Sequence, residues 1–280
     1  MCGVAGFIAP KASPAWKSRT LKELITFASV RGNDATGIAY INPTSGLTVL
    51  KDGKKPQDFI LSDAYLAATA DLPAIVMAHD RAATGGTPAS PEKNENNHPF
   101  YDQGIAVIHN GTVDDDLWRK TVGTDGGIDK DFPFTSNTDS EVFLRMIQTN
   151  LKTDASMEEA IADSCYNIRG SYALAILRES EPNKIWFVRH ENPIVFALSP
   201  KQPYIIWAST QDIITKAATG YNFHYNFFIE PVTPKLIFED QDENTIVTIE
   251  LTPEGEDPFK IYRRRFAPYG TKLKEKKKTA

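Results

Sequence analysis

Met1-Cys2-Gly3-Val4-Ala5-Gly6-Phe7 opens the chain, and its reading decides the rest. Position 2 is small, so removal of the initiator methionine is expected to leave Cys2 as the new N-terminus, with a thiol and an α-amine on one residue. That joins a nucleophile to a base. An α-amine titrates at about 7.7 to 8.0 and a thiol at about 8.5, so a proton can pass between them directly or through one water. A threonine paired with its own N-terminal amine is the recognised form of this device. Taken alone, the plainer reading is an ordinary start with Cys2 as a small buried hydrophobe, and the remaining sequence has to choose.

Composition narrows the choice. A chain of 280 residues with 41% hydrophobic and 10% aromatic residues can bury a sizeable core, which excludes disorder for most of its length. Two cysteines, Cys2 and Cys165, cannot build a disulfide framework, and no CxxC or Cys/His spacing suggests a metal site, so no metal and no cofactor are expected. With neither a signal-like N-terminus nor an apolar run of membrane length, the expectation is a soluble, cytoplasmic protein. The net charge of -5 gives no general attraction to nucleic acid. A basic run, Arg263-Arg264-Arg265 followed by Lys272 to Lys278, reads as a solvated tail, without the interleaved aromatics that stacking on single strands requires.

Along the chain, residues 2–9 read as a short buried strand, and Ser13-Pro14 opens a helix with Leu21, Leu24, Ile25 and Ala28 at helical spacing. Strands are expected at 36–41 and 47–51, a helix at 58–70, and an apolar strand at 74–78 that hands the chain to His79-Asp80-Arg81 as it leaves the sheet. A polar loop, 85–99, has the length of a lid. The strand 105–108 ends at His109-Asn110-Gly111, where a side-chain N–H and a backbone N–H side by side have the form of an oxyanion hole, or of a plain strand-end turn. A helix capped by Asn137 or Thr138 follows, then a helix at 157–168 and strands at 172–177, 184–189, 194–198 and 204–208. A helix at 211–218 and strands at 232–238 and 245–251 complete the series. The pattern is that of a layered α+β domain over residues 2–250, with 251–280 as a C-terminal extension.

These signals gain force in combination. Cys2-Gly3-Val4-Ala5-Gly6, Arg31-Gly32-Asn33-Asp34-Ala35-Thr36-Gly37, and His79-Asp80-Arg81-Ala82-Ala83-Thr84-Gly85-Gly86 occur in one order with Asn97-His98-Pro99-Phe100, His109-Asn110-Gly111, Asn137-Thr138-Asp139-Ser140-Glu141, Gly170-Ser171-Tyr172 and Glu191-Asn192-Pro193. As far as residue 250 this ordered set resembles the glutaminase domain of the class II glutamine amidotransferases, as found in glucosamine-6-phosphate synthase and amidophosphoribosyltransferase.

The resemblance implies an N-terminal-nucleophile hydrolase fold, a four-layer αββα sandwich. It implies Cys2 as the nucleophile toward the side-chain amide of glutamine, and Asn110 with Gly111 as the oxyanion hole. Arg81, with Thr84 and Gly85 beside it, is then expected to bind the glutamine α-carboxylate and Asp139 the α-ammonium, roles that suit a guanidinium and a carboxylate. Arg31 and Gly32 fall near the nucleophile, where the charge is expected to favour the thiolate. His79, His98 and His109 are expected to be structural. Ala82 and Gly85 depart from the family pattern and imply a smaller, more flexible lid, and Ala35 stands in the glycine-rich turn where the family usually has a serine. No acceptor site is visible, so the expected partner is a separate synthase or acceptor-binding subunit. A hydrolase of another amide and a non-catalytic regulatory module remain as alternatives.

Overall fold

The computed structural model describes residues 1–83, 90–200, 202–219, 236–252 and 258–271. Among them run β1 (Gly3–Ile8), α1 (Pro14–Ala28), β2 (Ala35–Asn42), β3 (Gly46–Asp52), α2 (Pro56–Phe59), α3 (Asp63–Ala68) and β4 (Ile75–Arg81). Next come β5 (Phe100–Asp102), β6 (Ile105–Asp114), α4 (Asp116–Lys120), α5 (Glu141–Leu151), α6 (Met157–Asn167), β7 (Arg169–Arg178), β8 (Lys184–His190) and β9 (Val195–Leu198). The chain continues through β10 (Ile205–Ala208), α7 (Gln211–Thr219), β11 (Ile237–Asp240), β12 (Thr245–Leu251) and β13 (Phe259–Arg265).

The strands form two antiparallel sheets, one in the order β11-β9-β10-β1-β4-β2-β3 and the other β13-β12-β8-β7-β6-β5. Alternation along each strand divides the apolar residues between layers. On β1, Val4 and Ile8 face the second sheet and meet Ala106, Ile108, Ala173 and Phe187, whereas Ala5 and Phe7 face Leu21, Leu24 and Ile25 of α1. On β6, Val107 faces the helices and packs with Phe143 and Ile147 of α5 and Ile161 of α6. Three cores therefore separate four layers, helix, sheet, sheet, helix. Each fully buried Leu, Ile or Phe contributes about 1.5–3 kcal/mol of burial to hold them together.

Several elements differ from their sequence expectation, each for a local reason. The helix expected at 58–70 is two short helices, because the Ser62 hydroxyl accepts from Tyr65 N–H and starts a new one. The strands expected to end at Ala78 and Ile108 continue, β4 through Arg81 and β6 through Asp114, paired residue by residue with their neighbours. Asn110-Gly111 is therefore strand, not turn. Helix α5 begins at Glu141 rather than on a cap from Asn137 or Thr138, since the Glu141 carboxylate accepts from the N–H and O–H groups of Thr135 and Ser136. Of the strand expected at 232–238, residues 232–235 lie outside the described residues, and β11 occupies Ile237–Asp240. The basic residues at 263–265 belong to β13, which pairs along its length with β12.

Candidate active site

The site sits where the two sheets face each other. Cys2 precedes β1, a central strand of the first sheet, on the face shared by Val4, so its side chain looks toward the second sheet. From that sheet, Asn110 on β6 lies on the same inner face as Ala106 and Ile108 and is wholly buried. The Cys2 N–H donates to Asn110 Oδ1 at 2.9 Å. With its oxygen so engaged, Asn110 keeps a buried Nδ2 that has no partner. A buried unpaired amide donor costs about 1–3 kcal/mol, so it marks a place where an acceptor is expected to arrive. Gly111 follows at φ +155°, and a Cβ there would lie 1.9 Å from Ser171 O, so only glycine lets β6 and β7 close at this point.

The thiol is held by main chain. Cys2 Sγ accepts from Ala82 N–H at 3.4 Å and lies 3.8 Å from Ala82 O, the acceptor for its S–H. Burial pushes the Cys2 thiol above its ordinary value, and the Ala82 N–H, the N-terminal charge and the Arg81 guanidinium offset this only in part. The thiolate expected from the neighbouring charge is thus not favoured. Arg31 does lie beside Cys2, but it grips the main chain, with Nε donating to Cys2 O at 3.1 Å. Gly32 lies against the main chain of β4, where a Cβ would meet Asp80 O at 2.1 Å.

Arg81 ends β4, is buried, and donates from Nη1 to Asn97 Oδ1 at 2.9 Å. Burial lowers the guanidinium from its ordinary value, opposed by Cys2, Asp34 and Asp139. Asp139 is half-buried in the turn before α5, where Oδ2 accepts from Val113 N–H at 2.8 Å and Oδ1 from Ser140 O–H at 3.3 Å. It makes no ion pair among the described residues. Cys2, Arg81, Asn110, Gly111 and Asp139 all line one cavity of about 560 Å³, ample for an amino acid. Thr84 and Gly85 lie outside the described residues. So does the start of the expected lid, while its later part is packed, with Asn96, Asn97 and His98 buried.

Three imidazoles back the cavity. His79 stacks on His98 with 3.9 Å between ring centroids and reaches His109 O with Nε2 at 3.0 Å, while His109 Nδ1 lies 2.8 Å from Ser140 Oγ. Burial pulls His79 down to about 3, His98 well below its ordinary value, and His109 in the same direction. All three are neutral at pH 7. The Ala82 backbone contact was not legible in sequence, since an alanine carries no chemical signal. The bond from Arg81 to Asn97 had one available clue, the doublet Asn96-Asn97 in a loop.

No protein-family model matches the chain. Among curated proteins, it is similar to the isomerizing glutamine–fructose-6-phosphate aminotransferase of Vibrio cholerae, 30% identical over 195 residues covering 70% of this chain and 30% of that protein. Its counterpart in Methanothermobacter thermautotrophicus is 32% identical over 209 residues, 73% of this chain and 32% of that one. The chain thus spans about a third of the length of these relatives. Among solved structures, glutamine phosphoribosylpyrophosphate amidotransferase from Bacillus subtilis superposes with a TM-score of 0.64 at 19% identity, over 94% of this chain and 49% of that one. A glutamine aminotransferase class-II domain protein from Silicibacter pomeroyi gives 0.56 at 15%, over 96% and 100%.

Two facing antiparallel sheets between helical layers, matched by these structures, define an N-terminal-nucleophile hydrolase fold. The chain belongs to the class II glutamine amidotransferases, related in sequence to the aminotransferases and alike in fold to the amidotransferase.

Proposed function

We propose that the chain hydrolyses the side-chain amide of glutamine through Cys2, once Met1 has been removed. Burial keeps the Cys2 thiol protonated, so the attack needs a base, and the α-amine of the same residue supplies one. The Cys2 nitrogen, a peptide N–H while Met1 is attached, donates to Asn110 Oδ1, and the amine freed there keeps an N–H for that bond and its lone pair for the thiol. The sulfur bonds to the amide carbon as the thiol proton passes to the amine, and the carbonyl electron pair moves onto oxygen. That oxyanion is received by Asn110 Nδ2 and the Gly111 backbone. When the tetrahedral intermediate collapses, the C–N bond breaks and the amine gives its proton to the departing nitrogen, which leaves as ammonia. Water, deprotonated by the same amine, then adds to the γ-glutamyl thioester, the C–S bond breaks, and the sulfur takes the proton back as glutamate leaves.

The observation that carries this reading is Asn110 itself, with one end of its amide bonded to the nucleophile's nitrogen and the other buried and unpartnered in the same cavity. Arg81 and Asp139, on that cavity, provide opposite charges for the two ends of an α-amino acid. Free ammonia is readily lost, so a separate synthase that uses it is the partner in this reading. The test is intact mass with ammonia release. Active protein should begin at Cys2 and convert glutamine to glutamate, and Cys2→Ala should be folded and inactive. Active protein that retains Met1 would exclude the amine as base.

A further inference from the structure

The clamp expected at Arg81 and Asp139 is carried on two separate segments, the end of β4 and the turn before α5. One side-chain pair joins them. Asn97 Oδ1 accepts from Arg81 Nη1 at 2.9 Å, and its Nδ2 donates to Pro91 O at 2.7 Å and Asn94 Oδ1 at 3.2 Å. Next to it, Asn96 Oδ1 accepts from Asn137 N–H at 3.0 Å, two residues before Asp139, and its Nδ2 donates to Ser90 O at 3.1 Å. Both asparagines have no exposed surface. Lys51 Nζ donates to Asn97 O at 2.6 Å and fixes the backbone between sheet and loop.

Four amide atoms on two adjacent residues are thus committed, one to each half of the clamp and the others to a common loop. Buried amides are placed by such bonds rather than by apolar packing, and a half-satisfied network of this kind is costly, so the pair resists small displacements. We infer that Asn96 and Asn97 are positioning residues for substrate: Asn97 aims the Arg81 guanidinium at the α-carboxylate, and Asn96 sets the loop that presents Asp139 to the α-ammonium. This rests on the glutaminase reading above. The division of labour follows from which partner each amide holds, and it separates the two asparagines experimentally.

The test is steady-state kinetics on the full chain with glutamine and with 4-aminobutanamide, which keeps the amide and the amine but lacks the α-carboxylate. Asn97→Asp keeps the size of the side chain but sets a competing anion against Arg81. It should raise KM for glutamine about tenfold or more with kcat little changed, and leave kcat/KM for 4-aminobutanamide as in wild type. Asn97→Ser, which removes the acceptor without adding charge, should act in the same direction by less. Asn96→Ala should raise KM for both substrates, because it acts on the amine half. Circular dichroism and thermal melting confirm that each variant is folded. If wild type hydrolyses glutamine but neither Asn97 variant moves KM, or both lose activity equally on the two substrates, the positioning role fails alone. If wild type does not turn over glutamine, the glutaminase reading fails and this inference with it.

Discussion

The two halves of the cavity are built on different principles. Cys2 stands at the start of β1, beside its ladder with β4, and Asn110 and Gly111 stand within the ladder of β6 with β7. Asp139 and the two asparagines lie in loops, and they and the guanidinium of Arg81, which itself ends β4, are placed by side-chain hydrogen bonds. Strands give geometry that does not yield, which suits donors aimed at charge that develops only in a transition state. Buried amides hold two charges on separate segments at a set spacing, which suits ground-state binding of a ligand that carries the opposite pair.

Kinetics can break that contrast. Asn110→Ala should lower kcat by about 10²- to 10³-fold with little change in KM, the usual result of losing one oxyanion donor. Arg81→Ala and Asp139→Ala should instead mainly raise KM. A rise in KM alone from Asn110→Ala would place that residue with the clamp and dissolve the distinction.

The strand half was the more legible in sequence, though not where its chemistry lies. Alternating apolar residues disclosed β1 and β6, but His79-Asp80-Arg81 and Asn110-Gly111 read as chain exits because polar residues inside a strand argue against burial. Here the strands stay paired, with Arg81 and Asn110 on a cavity between the sheets and His79 stacked on His98. The loop half was legible only as motifs: nothing in Asn96-Asn97 announces which amide meets which partner. Helix α4 buries no residue and β13 exposes its basic side chains, so neither carries the apolar period that sequence reading depends on.

Titration sharpens the comparison further, because the strand half holds buried groups of opposite sign. His79 falls from about 6.5 in the unfolded chain to about 3 when folded. Below pH 6.5 the unfolded chain takes up a proton that the folded one refuses, so stability is full above that pH and is lost as pH falls toward 3, by about 1.4 kcal/mol per unit. His98 and His109 act in the same direction. Asp80 is the reverse case: wholly buried, with the Thr36 hydroxyl offsetting burial only in part, it holds its proton well above the ordinary range. The folded chain keeps that proton after the unfolded chain has released it, so Asp80 costs stability as pH rises above about 4. Thermal melts from pH 8 to 5 should show stability falling toward acid. Asp80→Asn should raise Tm at pH 8, and a lowered Tm would mean that the carboxylate is paired.

The smallest effect is expected at the second thiol, and it isolates what position does to one side chain. Cys165 lies on α6 within the core between that helix and the second sheet, wholly buried, and burial pushes its thiol up to about 12. Tyr172 O–H donates to the Cys165 carbonyl at 3.4 Å, a contact that alanine retains. Cys165→Ala therefore removes one sulfur from a packed layer, at a cost of about 1 kcal/mol by comparison with deleting a buried methyl, and should leave both kcat and KM as they are. Cys2 has the same functional group, yet it opens on the cavity and receives a backbone N–H on its sulfur. Iodoacetamide on the folded protein should then label one thiol per chain, Cys2, with glutamine slowing the reaction, and a second only after denaturation. If native Cys165 were labelled first, or if Cys165→Ala were as inactive as Cys2→Ala, the nucleophile would not be where the strands place it.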